Sequence, residues 1–134
     1  MGQKPSELDD ALSIVLERMR STFITRVRAV DLTPPTAITL RLLSAGPLPL
    51  GLVAEHFNID ASAVTWIADR LESRGLAVRE SSPNDRRVKL LTLTDEGRAL
   101  VTTLQPRATE FPGIATLSAT ERKQLADLLR RAFA

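Results

Sequence analysis

The chain has 134 residues, 43% hydrophobic and 25% charged, which suits one globular domain. It has no cysteine, which excludes disulfides, thiolate metal sites and cysteine redox chemistry, and which fits a cytoplasmic protein. The net charge is only +2, and residues 60–98 hold seven basic and seven acidic side chains, so any nucleic-acid role must rest on where the charges sit.

Ser6 to Ala29 reads as one long helix, with Ser6 as N-cap and acids in its first turn. Leu8, Leu12, Val15, Leu16, Met19, Phe23, Ile24 and Val27 recur at three- and four-residue steps. That stripe is wide for a small domain and can pack on its own chain or on a second subunit. A second helix starts at Thr33-Pro34 and runs to about Ser44, where Gly46-Pro47 and Pro49 break the pattern. A third spans about Leu50 to Phe57. A fourth spans Ala61 to Arg74, with Asp60 as N-cap and Gly75 as the stop. Ala77–Ser81 and Val88–Leu93 read as two strands joined by a polar turn. A fifth helix starts at Thr94 and runs to about Thr109, kinked or interrupted by Pro106, and Pro112-Gly113 reads as a linker. Ser118-Ala119-Thr120-Glu121 is a capping box that opens a last helix. The order is α-α-α-α-β-β-α-α. No apolar run approaches the roughly 18 residues of a membrane span, and the opening MGQKPSELDD has no signal-peptide core.

Residues 50–69, LGLVAEHFNIDASAVTWIAD, fit a helix-turn-helix. Ala54 is small where two helices would cross, and Asn58 suits a turn position with positive φ. Val53, Phe57, Ile59, Val64 and Ile67 are the apolar lock. On a helical wheel Val64, Ile67, Ala68 and Leu71 share one side of the fourth helix. Ser62, Trp66, Asp69, Arg70 and Ser73 share the other, with Thr65 at its border. Short polar groups and one arginine suit base edges or phosphates. Trp66 stands among them as a large apolar residue with no expected core role, so its truncation should change stability by less than about 0.5 kcal/mol.

The hairpin that follows, SSPNDRRVKLLTLTDEG, carries Arg86 and Arg87 at its tip. A hairpin directly after a helix-turn-helix is a wing, and a narrow minor groove attracts inserted arginine. Asp85, two residues before Arg87, can fix the direction of its guanidinium.

The stretches LTPPTAITLRLL, DASAVTWIADRLESRGLAVR and DRRVKLLTLTDEGR resemble the second helix, recognition helix and wing of the MarR family of bacterial transcription regulators. The resemblance covers about residues 30–100. It implies a mainly α fold with a small two-stranded β wing. Residues 33–95 would form a winged helix-turn-helix, and residues 6–30 and 96–134 would be dimerisation helices. It implies a homodimer that binds an inverted-repeat operator in double-stranded DNA, most often as a repressor, and that a small aromatic, anionic molecule can release. Ser62, Thr65 and Trp66 would face the major groove with Arg70 alongside. Arg87 would enter the minor groove, oriented by Asp85, with Arg86 near the backbone. Position 66 is often arginine in similar proteins, and Trp66 puts guanine reading there in doubt.

An alternative is a winged helix used for protein contact, against which the wing arginines argue. No nucleophile–base pair, phosphate loop or acid cluster supports an enzyme, and no cofactor is expected. The lone His56 has no metal-ligand spacing and reads as a helix-surface residue.

Overall fold

The computed structural model describes residues 5–134. Helix α1 spans Glu7–Ala29, α2 Pro34–Leu43, α3 Leu50–Phe57, α4 Ala61–Ser73, α5 Asp95–Leu104, α6 Pro112–Ala115 and α7 Ala119–Ala132. Strands β1, β2 and β3 span Leu48–Pro49, Ala77–Ser81 and Lys89–Leu93. The fold is mainly helical with a small antiparallel sheet. Its N-caps are the expected ones: Ser6, Asp60 and Ser118 each accept a hydrogen bond from the third backbone N–H of their helix.

Three features differ from the expected layout. The sheet has three strands, in the order β1-β3-β2, because Leu48 and Pro49 pair with Leu91 and Leu90. Pro49 breaks the helical pattern, yet it fits an edge strand, which needs no inward N–H from it. Helix α5 stops at Leu104, because the residue before Pro106 is pushed out of the helical region; Gln105 sits at φ −66° and ψ 139°. Beyond it lie a single 3₁₀ turn, Ala108–Glu110, and α6. Pro112 and Gly113 therefore begin a helix instead of forming a linker, Pro112 being favoured in a first helical turn.

One core joins α2, α4, α5, β2 and β3. Leu40, Leu71, Leu91 and Leu104 are its largest fully buried side chains. From α1 only Val27 is buried, and in α7 no residue is fully buried. Arg26 on α1 donates to the carbonyl of Leu104 at 3.0 Å and to that of Gln105, and pairs with Glu110. It thus satisfies carbonyls that α5 leaves open at its end.

Candidate nucleic-acid interface

The turn between α3 and α4 is set by Asn58, at φ 51°. Ile59 N–H reaches the Ala54 carbonyl at 3.1 Å and Asn58 N–H the Glu55 carbonyl at 3.2 Å. That pair of bonds is a helix stop with a left-handed residue, here supplied by asparagine. Val53, Val64 and Ile67 are buried across the junction, and Phe57 and Ile59 are partly buried. Gly75 ends α4 the same way, at φ 66°, with Leu76 N–H bonded to the Leu71 carbonyl at 2.9 Å.

Ser62, Thr65 and Trp66 are exposed on α4. The Ser62 hydroxyl donates to Asp60 at 2.7 Å, and the Thr65 hydroxyl donates to the Ala61 carbonyl at 2.9 Å. With those protons engaged, both exposed oxygens keep acceptor capacity. They are then suited to accept from the amino groups of adenine or cytosine. The Ser62 bond, and after it the Ala63 N–H, holds the Asp60 carboxyl below the usual carboxylate range.

Trp66 is 53% exposed, so its ring is half covered. It forms one wall of an apolar groove of about 420 Å³ with Pro35, Phe57, Ile59, Ala63 and Ile67. Trp66 thus stays outside the core, as expected, while its covered half lines that groove. Half of a tryptophan surface, at the usual value per unit of apolar area, amounts to about 2–3 kcal/mol. Trp66→Ala should lower stability by that much in a denaturant titration; a change under about 0.5 kcal/mol would mean that the covered half contributes nothing.

The helical wheel also puts Arg70 and Asp69 on this face, but both are engaged in ion pairs. The Arg70 guanidinium turns back to the carboxylate of Asp31 at 2.8 Å. Asp69 accepts from Arg79 on β2 at 2.5 Å. Arg79 also donates to Glu72 on α4, from Nε at 2.9 Å and from its backbone N–H at 2.8 Å. The Arg79 hydrogen bonds hold the Glu72 carboxyl below its usual range, while Glu72 and then Asp69 raise the guanidinium. The wing is thereby bolted to α4. This bolt was not foreseen, although Glu72 and Arg79 are opposite charges seven residues apart across a helix stop.

At the wing tip the Arg87 side chain is 94% exposed. Asp85 accepts from the Arg87 N–H at 3.0 Å and faces its Nε at 3.5 Å. Val88 N–H closes the loop on the Asp85 carbonyl at 3.0 Å. Arg86 is exposed beside it. The wing thus holds two cations outward on a loop that Asp85 organises. His56 is exposed and edge-on to Phe57, and no cluster of potential metal ligands occurs among the described residues. No helix of the described residues is long and apolar enough to cross a membrane.

A family model described as MarR family matches residues 30–88, from the end of α1 to the wing. The transcriptional repressor NicR of Pseudomonas putida is 31% identical over 98% of this chain and 87% of its own length. The chain belongs to the MarR family. The transcriptional repressor MdtR of Bacillus subtilis is 33% identical over 71% of this chain, and the aligned part spans 62% of MdtR. The structure of an S. aureus MepR mutant bound to an oligodeoxyribonucleotide covers 96% of this chain and 96% of its own, with a TM-score of 0.67. At 20% identity that likeness shows the fold alone.

Proposed function

We propose that this MarR-family chain is a DNA-binding transcription regulator that acts as a homodimer, most often as a repressor. The observation that carries the reading is the bolted unit of α4 and wing, which presents Ser62, Thr65 and Trp66 on a helix and Arg86 and Arg87 at a loop tip. A helix of that kind suits the major groove, and outward arginines suit the adjacent narrow minor groove. The repressor names of NicR and MdtR support it, and the likeness to MepR supports the fold that this reading needs. The residues proposed to touch DNA are Ser62, Thr65, Trp66, Arg86 and Arg87, with Asp85 orienting Arg87. Arg70 leaves that set, because its guanidinium is already engaged by Asp31.

The dimer part of the reading rests on unpartnered apolar surface. Leu16 on α1 is 68% exposed and Phe133 beyond α7 is 72% exposed, with Leu8, Leu12, Val15, Met19, Leu128 and Leu129 also open. Apolar stripes of that extent on two helices call for a partner, and a second copy closes them under two-fold symmetry. The expected result of sedimentation at micromolar concentration is a two-chain mass. A monomer with tight half-site binding would remove the dimer.

The groove beside Trp66 has no cation in its wall, so it does not favour an anionic aromatic effector. The reading as a whole is tested by site selection from random duplex DNA at one fixed salt concentration. An enriched inverted repeat, with half-sites about one helical turn apart, is expected. Failure to enrich any sequence would sink the proposal.

A further inference from the structure

Helix α1 ends against two local rules. Its stop residue is Asp31, at φ 54°, where glycine is the usual occupant. Asp31 N–H bonds to the Arg28 carbonyl and Leu32 N–H to the Val27 carbonyl, both at 3.0 Å, so the left-handed turn is fully formed. An acid at a helix C-terminus also faces the negative end of the helix dipole. Breaches of this kind persist where the surrounding structure compensates them.

The compensation comes from the recognition helix. Arg74 Nη1 donates to the carbonyls of Val30 at 2.6 Å and Asp31 at 2.9 Å. Arg70 Nη2 donates to the Asp31 carboxylate at 2.8 Å and to its carbonyl at 3.2 Å. The chain cannot satisfy those two carbonyls itself. The residues four further on are Pro34 and Pro35, which have no N–H to give. Arg74 is also the residue that caps α4. Two guanidiniums from the end of α4 therefore cover the negative end of α1. The Asp31 carboxylate is 90% exposed, so the Arg70 pair alone holds little. Arg74 is half-buried and bonded to backbone, and it carries most of the clamp.

We infer that Arg74, assisted by Arg70, is a positioning residue that fixes the angle between α1 and the recognition helix. This rests on the DNA-binding reading above, and it deepens that reading by naming what sets half-site spacing. Inserting one base pair between half-sites turns one of them by roughly 35° and moves it by about 3.4 Å. Only a rigid join between the α1 arm and α4 can discriminate between such spacings.

The test has two arms. Because the chain has no cysteine, spin labels go only to Ser13→Cys on α1 and Glu55→Cys on α3. Labelled chains are diluted into unlabelled ones, and the intrachain distance distribution is read without DNA. Arg74→Met should broaden it by about twofold, Arg70→Met less, and Arg74→Lys, which keeps donors, least of all. An unchanged width in Arg74→Met overturns the inference whether or not the protein binds DNA. If Arg74→Met does not fold, Arg70→Met and Arg74→Lys decide by the same widths. In the second arm, the selected site is lengthened and shortened by one base pair. A wild-type preference of about tenfold for the best spacing should fall to about twofold in Arg74→Met, with the salt slope unchanged. A slope reduced by about one for each arginine lost would mean that Arg74 touches phosphate, which also overturns it. No binding by the wild type would remove the DNA-binding reading, and the distance arm would still judge the clamp.

Discussion

Gly97→Ala should destabilise the fold by about 3 kcal/mol or more, and lower the melting temperature by roughly 10 °C. A Cβ at Gly97 would stand 2.0 Å from the Leu76 carbonyl oxygen and 2.7 Å from Leu93 Cδ1. The first of these is backbone and cannot swing aside. That carbonyl also accepts the Thr94 N–H at 3.1 Å, and the Thr94 hydroxyl donates to the Gly75 carbonyl at 2.6 Å. The first turn of α5 is thus pressed onto the end of α4 and the start of β2. Any retreat of the helix to admit a methyl group breaks those bonds and opens the core at Val101 and Leu104. This is the physical meaning of the Leu-Thr-x-x-Gly stretch after the wing: threonine caps the helix, and glycine lets it sit against a strand. Thermal melting followed by circular dichroism checks it. A wild-type melting temperature would show that α5 sits farther from Leu76 than these distances require.

Arg87→Ala should weaken operator binding by about 1–3 kcal/mol per subunit, or roughly five- to 150-fold. Its side chain is 94% exposed, so stability should stay within about 0.5 kcal/mol of wild type. The salt slope of binding should fall by about one for each arginine removed if the guanidinium meets phosphate. Asp85→Ala should cost less, because it removes only the 3.0 Å bond to the Arg87 N–H and the 3.5 Å pairing that aims the guanidinium. Both affinities are measured at one salt concentration beside the melting temperatures. Unchanged affinity in Arg87→Ala would take the wing out of the mechanism and leave α4 as the sole reader.

Local chemistry was readable because it acts over a few residues. Ser6, Asp60 and Ser118 cap the helices that follow them, and Asn58 and Gly75 take positive φ where a helix must stop. The outward face of α4 followed from a period of 3.6, and the wing from alternation between two turn signals. Ser62, Thr65, Trp66, Arg86 and Arg87 are exposed as expected, with Asp85 beneath Arg87.

What escaped depended on chain segments that are distant or too short to carry a period. Strand β1 is two residues long and contains a proline, and it exists only because β3 offers an edge. The broad apolar stripe of α1 was legible, but whether its own chain or a second copy covers it was not, since burial depends on which neighbours arrive. Arg70 and Arg87 look alike in sequence, each a cation on a presumed DNA face. They are separated by Asp31, which lies 39 residues before Arg70 and reaches it only once the fold brings the end of α1 beside α4. The sequence by itself determined the main helices, the two wing strands, their caps and the family, because propensity, periodicity and turn chemistry are local. Only the tertiary structure decided which charges stay free, because an ion pair is set by distance in space.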